Sequence, residues 1–596
     1  MRRARTFDWW HTGMASIIVL VVSGCGSNES TTGPPPPPPP SPPSVNGLVV
    51  AAGDGQVGTV AAGLTEPLTV RVEDTSGQPV SGVSVSWSVV AGGGTLSSVA
   101  SSSDASGLAA VSYTMGTTAG TQRVRATIAG TSTTATFTVT ARAGPPATLA
   151  VLAGNDQAGP TGAALPVAYR IRVDDQYGNV VEGATVAWTV VKGGGSVAAA
   201  SSVTDAAGAA SVIHTLGPQG GGQLVDAAVQ GTAVSPVRFH ATARSAFAIT
   251  SGGSNVAERF GSDLWIHGGY GYSGTWGNRN GTPGNAVKIW QLDPSGAPSL
   301  IDSVVTAGIS TVSDVEVSAD GSVLMFSTEG GPNAGLYIYR LTDPRSPTLV
   351  DRALVSTGLH TATFGYIGGN TYAFAAKNPG SPALLIYQID ATGPNPITLV
   401  STTPIPPAYG IHDTFVRDGI AVVSAWDTGV ILYDVGNGLR GGTTSTPLEI
   451  SRIATANGNS HNGWWFHNPN TGERRYLFVG EEGPGVVGGA ASGDIHVVDV
   501  SALSAPREVA TFSVAGAGTH NFWMDEQAEV LYAAYYNAGI VAIDVSGDLS
   551  GDLTIREIAR IQPGGTANTF TWGVQLYQGS VYAVDMLSGF WQLSRP

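Results

Sequence analysis

The chain reads as an all-β protein in which two tandem β-sandwiches precede a seven-bladed β-propeller. Three observations predict this. Gly, Ser, Thr, Val and Ala dominate the 596 residues, charged residues make up only 12%, and no long segment keeps a 3.6-residue apolar period. Residues 47–243 contain a duplication with an offset of 101 residues. From residue 245 onward one strand motif recurs seven times, at spacings of 45 to 65 residues.

The first segment carries Arg2, Arg3 and Arg5, then an apolar run from Met14 to Val22 that ends in Ser23-Gly24-Cys25. The run is far shorter than the roughly 20 residues a membrane-spanning helix needs, so residues 1–24 are expected to be a secretion signal. The four residues Val22 to Cys25 resemble a bacterial lipobox, which implies cleavage before Cys25 and its lipidation; an ordinary secreted protein with a stray cysteine is the alternative. Cys25 is the only cysteine, so no internal disulfide supports an exported fold. Residues 25–46 then form a lipid anchor and a spacer containing Pro34 to Pro40 and Pro42-Pro43, a composition that adopts a stiff extended helix. The expected location is the bacterial cell envelope, at the outer membrane or cell surface; Gly26 and Ser27 after the cysteine leave the sorting open. The membrane is thus an expected partner through the lipid. Nucleic acid is not, because a formal net charge of −15 with 28 Lys plus Arg offers no phosphate-neutralising surface.

The duplicated units span 47–143 and 144–243. Val72 to Val80 and the strand Val85-Ser86-Trp87-Ser88-Val89-Val90 match Val173 to Val181 and Val186-Ala187-Trp188-Thr189-Val190-Val191. Asp104 and Gly107 match Asp205 and Gly208. A single tryptophan alternating with valines, with turn signals between short strands, fits a sandwich core. The D-x-x-G-x-x-V pattern, the V-x-W-x-V strand and the later D-x-x-G turn resemble the bacterial immunoglobulin-like domains of the invasin and intimin type (Big-1). That resemblance implies rigid stalk segments or adhesive modules. His214 takes the place of Tyr113 and is expected to pack.

In residues 245–596 the third strand of each unit is clearest: Ile289-Trp290-Gln291-Leu292, Ile338-Tyr339-Arg340-Leu341, Ile386-Tyr387-Gln388-Ile389, Leu432-Tyr433-Asp434-Val435, Val497-Val498-Asp499-Val500, Ala542-Ile543-Asp544-Val545 and Phe590-Trp591-Gln592-Leu593. A four-stranded blade needs about 40–50 residues, so seven copies predict seven blades. The last unit lacks a fourth strand; Ala246 to Thr250 is expected to supply it and close the ring. The Val-Val-Asp-Val and Ile-Asp-Val strands resemble the LVIVD-repeat family of secreted propellers.

Four units open their inner strand with histidine: His360, His412, His461 and His520. Asn255, Ser313 and Thr571 are expected at the equivalent place in the other three. Loops between second and third strands should bring His267, Glu329, Lys377, Asp427, Glu481, Glu482, Tyr536 and Asp585 to the same channel mouth, a convergence of ionisable groups that marks a site. Imidazoles of this kind suit copper, zinc or iron, with Glu329 or Glu481 completing the shell. The alternative is that a duplicated histidine only braces each blade. The placement is loosely similar to that of the copper-binding histidines in selenium-binding-protein-like methanethiol oxidases, without an extended motif. Asp413, Asn462 and Asn521, which follow three of the histidines, are expected to tie neighbouring blades. Trp464, Trp465, Phe466, Phe522, Trp523 and Trp572 are expected in blade cores. Tyr270, Tyr272 and Trp276, in a Gly- and Asn-rich loop at 268–284, are candidates for contacting a glycan or peptide.

No nucleophile elbow, phosphate loop, H-E-x-x-H helix or EF-hand loop is present in the sequence. The sequence therefore favours a surface-displayed head on a stalk that binds an extracytoplasmic protein or glycan in adhesion or recognition, with no catalytic residue assigned; the alternative is an extracytoplasmic metal-dependent oxidoreductase or other metalloenzyme.

Overall fold

A computed structural model describes residues 44–293, 296–378, 380–405, 410–483 and 485–596. The expected signal, Cys25 and the proline-rich spacer lie outside the described residues. Among the described residues the fold is all-β apart from one 3-10 turn, Thr554–Arg556, and no helix is long and apolar enough to cross a membrane.

The first sandwich pairs a sheet of Val45–Ala52, Leu68–Asp74 and Leu108–Val111 with a five-stranded sheet, ordered Val57–Thr59, Thr134–Arg142, Gly120–Ile128, Ser84–Ala91 and Ala100–Ser102. The second repeats that order with Pro146–Ala153, Tyr169–Asp175 and Ala209–Val212 against Gln157–Pro160, Val237–Arg244, Gly221–Val229, Thr185–Lys192 and Ser201–Val203. Alternation explains the inward faces: Val85 and Trp87 are buried while Ser84, Ser86 and Ser88 are exposed. The indole N–H of Trp87 donates to Ser101 Oγ at 2.9 Å, and that of Trp188 to Ser202 Oγ at 2.9 Å, so each core tryptophan keeps its polar edge satisfied. The D-x-x-G motifs are turns held by their aspartates. Asp74 Oδ1 accepts from the backbone N–H of Ser76 and Gln78, and Asp175 Oδ1 from those of Tyr177 and Asn179. Gly77 and Gly178 take φ of 76° and 81°, where a Cβ would be strained. His214 is buried, and its Nδ1 lies 3.0 Å from the Tyr169 hydroxyl.

Among the described residues from 249 onward the chain forms seven sheets of four or five strands, antiparallel except for one short parallel edge strand, whose inner strands are Phe260–His267, Thr311–Val317, Leu359–Ile367, Asp413–Arg417, Ser460–Trp465, Phe522–Asp525 and Thr571–Tyr577. Each inner strand contacts the next, and the last contacts the first, so the sheets close into a ring. Closure mixes strands distant in sequence: Ile249–Gly252 pairs with Gly589–Ser594. The closing strand is therefore shifted from the expected 246–250. Between neighbouring sheets the flat faces bury aliphatic and aromatic side chains, for example Phe478, Val497, Leu531 and Val541 in one cluster. Each such side chain contributes about 1.5–3 kcal/mol.

The repeated third-strand aspartate has a mechanical reason. Asp434 accepts from the N–H groups of Gly436, Asn437, Gly438, Arg440 and Gly442, and Asp499 from Ser501 N–H and the Arg475 guanidinium. Burial works against their charge, but these donors hold both carboxyls down at about 2. Asp544 adds a second duty. It accepts from Ser546, and it also meets His240 Nε2 at 2.6 Å and Thr242 Oγ1 at 3.0 Å, both on the second sandwich. His240 Nδ1 lies 3.1 Å from Asp156, which pairs with Arg556 at 3.2 Å, while Lys192 pairs with Glu529. A buried ionic seam thus joins the second sandwich to the sixth sheet.

One expectation is corrected at the first sheet. Tyr270, Tyr272 and Trp276 do not sit in an open loop: Tyr270–Trp276 is the second strand, and Tyr272 is a core residue at 1% exposure. Only Asn278–Arg279 and Thr282–Pro283 form a small surface hairpin beyond it.

Candidate metal centre

Five of the seven inner strands carry an irregularity near their start, between Gly261 and Leu264, Val312 and Asp314, Leu359 and Ala362, Ser460 and Asn462, and Thr571 and Gly573. A bulge adds a residue and re-aims its side chain. The residues so placed include Ser262, Ser313, His360, His461 and Trp572. In the fourth and sixth sheets His412 and His520 precede the strand, held by N–H donation to Ser424 and Ala534 carbonyls at 2.8 Å. The equivalents of the histidines are therefore Ser262 and Trp572 where Asn255 and Thr571 were expected, because the bulge moves the register. Asn255 instead binds the backbone of Phe590.

All four histidines come together. Their ring centroids step 4.0 Å from His360 to His412, 3.8 Å from His412 to His461 and 4.1 Å from His461 to His520. His412, His461 and His520 are 1–3% exposed. Two histidines are oriented by partners behind them: His360 Nδ1 lies 2.7 Å from Glu329 Oε1, and His520 Nδ1 lies 2.9 Å from the Trp572 carbonyl oxygen. Each partner leaves Nε2 facing the cluster, the way a supporting acceptor fixes the tautomer of a ligating histidine. His360 Nε2 meets His412 Nε2 at 2.6 Å. Glu482 completes the group, its Oε2 3.7 Å from His412 Nε2 and 3.8 Å from His461 Nε2, and Tyr536 donates its hydroxyl hydrogen to Glu482 Oε1.

The electrostatics keep most of these imidazoles neutral. Burial and the neighbouring rings push His412 and His461 well below the usual histidine range, and burial pushes His520 down to about 3. At His360 burial is outweighed by the Glu329 carboxylate, which raises it. Burial raises Glu482, against the Tyr536 hydrogen bond and the charge of His360. Four ring nitrogens of the cluster are buried without a hydrogen-bond partner among the described residues: Nδ1 of His412, both nitrogens of His461 and Nε2 of His520. Leaving one such group unpaired costs about 1–3 kcal/mol. One ligand atom from each of His412, His461 and Glu482 lies within 4.8 Å of the others. Ligands at about 2.0–2.2 Å from one tetrahedral ion stand roughly 3.4 Å apart, so small side-chain shifts bring the three onto a shared cation.

Other expected mouth residues fall elsewhere. Glu481, the last residue of its strand, turns away from the cluster, its Oε2 3.3 Å from His496 and accepting from Asp494 N–H; the carboxylate on the cluster belongs to Glu482, the residue just after the strand. Asp585 is fully buried and holds a turn, accepting from the N–H groups of Phe570, Leu587 and Ser588. His267 ends an inner strand and so lies at the far end of the channel, with its ring beside Gly321. Lys377 ends a second strand and donates to the Ser381 carbonyl, and Asp427 is exposed.

Two features were not foreseen. A cavity of about 270 Å³ opens onto the cluster, walled by Trp276, Trp426, Val487, Phe570, Trp572 and Met586, with His360, His412, Glu482 and Tyr536 along one edge. A second cavity, about 280 Å³, lies in the next layer of the channel and contains Asp263, Asp314, Glu316 and Asp413. Burial raises all four carboxyls, Asp413 to about 7. Asp413, Asn462 and Asn521 line this second cavity, while Asn462 and Asn521 also tie neighbours through the His520 carbonyl and Asp263. Trp464 and Trp523, expected in blade cores, line it too.

Residues 59–141 match the family described as bacterial Ig-like domain (group 1). No curated protein matches the chain. Among solved structures, the propeller domain of Cps50 (Swd1) from Myceliophteria thermophila is similar at 13% identity and TM-score 0.42, covering 59% of this chain and all of that one. The C-terminal WD40 domain of Sif2 is similar at 9% identity and TM-score 0.40, over 59% of this chain and 99% of that one. Sqt1 from Chaetomium thermophilum is similar at 13% identity and TM-score 0.38, over 58% of this chain and 86% of that one.

Proposed function

We propose that this is an extracytoplasmic protein whose propeller head holds a transition metal in the histidine cluster, with Ig-like modules at 47–143 and 144–243 presenting the head and Cys25 anchoring it through lipid. The head is read as a seven-bladed propeller of the LVIVD type. The observation that carries the metal reading is the set of four buried ring nitrogens without partners, beside Glu482. Neutral imidazoles with a carboxylate suit zinc, copper or iron, and a bound ion would offset the cost of burying those nitrogens. Such a centre beside a largely apolar cavity supports the class of metal-dependent oxidoreductases or other metalloenzymes. A second reading, a head for recognising an extracytoplasmic ligand without chemistry, is favoured by the match of residues 59–141 to bacterial Ig-like domains.

Elemental analysis of the purified full chain tests the first reading. The expected result is about one transition-metal ion per chain, lost in the His412→Ala, His461→Ala double variant. Wild-type protein that stays free of zinc, copper and iron after incubation with each would sink it.

A further inference from the structure

The cavity in front of the histidines has one chemical edge and otherwise apolar walls. Trp276 and Trp572 lie with ring centroids 4.8 Å apart, Phe570 stacks on Tyr536 at 4.3 Å, and Met586 and Val487 fill the gaps. Trp426 and Tyr536 occupy the same place in the second-to-third-strand turns of the fourth and sixth sheets. Each adopts positive φ, 46° and 35°, a conformation bulky residues rarely take. That strain aims their rings at the cluster, Trp426 5.0 Å from His412 and Tyr536 4.8 Å from His520. Strained aromatic residues at two equivalent turns, both beside the cluster, mark a built pocket wall. Among the described lining residues none is Lys or Arg, so a carboxylate or phosphate would find no side-chain countercharge and would face Glu482.

The volume also selects. A dry cavity of about 150 Å³ holds a benzene-sized molecule, so about 270 Å³ takes one substituted ring. We propose that this cavity binds a small monocyclic aromatic of the phenol class, its ring packed against the walls formed by Trp276, Trp426 and Trp572 and its oxygen toward the His412 and Glu482 edge. The proposal rests on the metal reading above, because the oxygen is placed as a donor to the bound ion.

The full chain loaded with Zn²⁺ is titrated calorimetrically with 4-nitrophenol and with 4-nitroanisole, whose oxygen is methylated, and zinc content is measured on the same samples. Saturable 4-nitrophenol binding is expected, at least about tenfold tighter than 4-nitroanisole. Val487→Trp, at a half-buried loop position on the cavity wall that supplies no ligand atom, fills the cavity; it should weaken 4-nitrophenol about tenfold with zinc unchanged. Stoichiometric zinc without 4-nitrophenol binding overturns the proposal and leaves the metal reading standing. So does equal binding of the two probes, or undiminished binding by Val487→Trp. Failure of the wild type to hold zinc, copper or iron overturns both.

Discussion

His461 and His496 sit in the same sheet and are equally buried, yet their surroundings are opposite. His496 is clamped between Glu481 at 3.3 Å and Glu508 at 2.9 Å; burial opposes its charge, but the two carboxylates prevail and raise its pKa. His461 has neither nitrogen hydrogen-bonded, and burial keeps it neutral. A buried histidine with two acceptors is finished structure, whereas one with neither ring nitrogen hydrogen-bonded, among three other imidazoles, is a ligand in waiting. Type and burial do not separate them; the partners do.

That contrast is open to test, and the largest effect falls on the cluster. In the His412→Ala, His461→Ala double variant metal affinity should drop by more than about a hundredfold. The metal-free form should be no less stable than metal-free wild type, as thermal unfolding with chelator would report, because orphaned polar groups are removed. The mirror experiment is His496→Ala, which strands two carboxylates and should cost about 3 kcal/mol in denaturant unfolding while metal content stays unchanged. A stable His496→Ala protein would break the distinction. Smaller still, Glu482→Gln should weaken metal binding about tenfold and Glu481→Gln should leave it alone, since the Glu481 carboxylate turns to His496 instead.

The subtlest effect concerns His240 and Asp544 at the seam with the second sandwich. His240 is raised, burial opposing but Asp544 and Asp156 prevailing, so its contribution is full below the ordinary histidine value and fades as pH rises through the folded one. Asp544 is lowered by His240 and Arg556 despite burial, so its contribution is present above the ordinary aspartate value and fades only in stronger acid. Hydrogen exchange across Val237–Arg244 should therefore be slowest between about pH 4 and 6.5, after correction for intrinsic rates, and quicken above. In His240→Gln that pH dependence should vanish.

Much of this molecule could be read from its residues. The 101-residue duplication carries Trp87 and Trp188, and even their partners Ser101 and Ser202 obey the offset. The third-strand aspartates were visible as a recurring strand residue, but their role in gathering the N–H groups of the following turn was not. The four histidines stood out because repetition put them at one place in each unit. What stayed hidden depended on single-residue geometry. A bulge cannot be seen in a period-two pattern, so Ser262 and Trp572 were misaligned. Glu482 and Glu481 differ by one position, which decides the face, and no composition signal says which is which. Aromatic wall residues were legible as aromatics but not as a wall, since positive φ at Trp426 and Tyr536 leaves no mark in the sequence.

The sheet that joins Ile249–Gly252 to Gly589–Ser594 also sets a timetable. Its two sides are made far apart in time: Ala248 bonds to Ser594 across 346 residues. Each sheet can form as soon as its own hairpins emerge, but the ring waits for its latest strand, the slow, non-local step of such a topology. Trp572, which orients His520, arrives near that end as well. An unfinished chain thus offers the first histidines without their final frame, and a fully framed metal site forms only once the circle is complete.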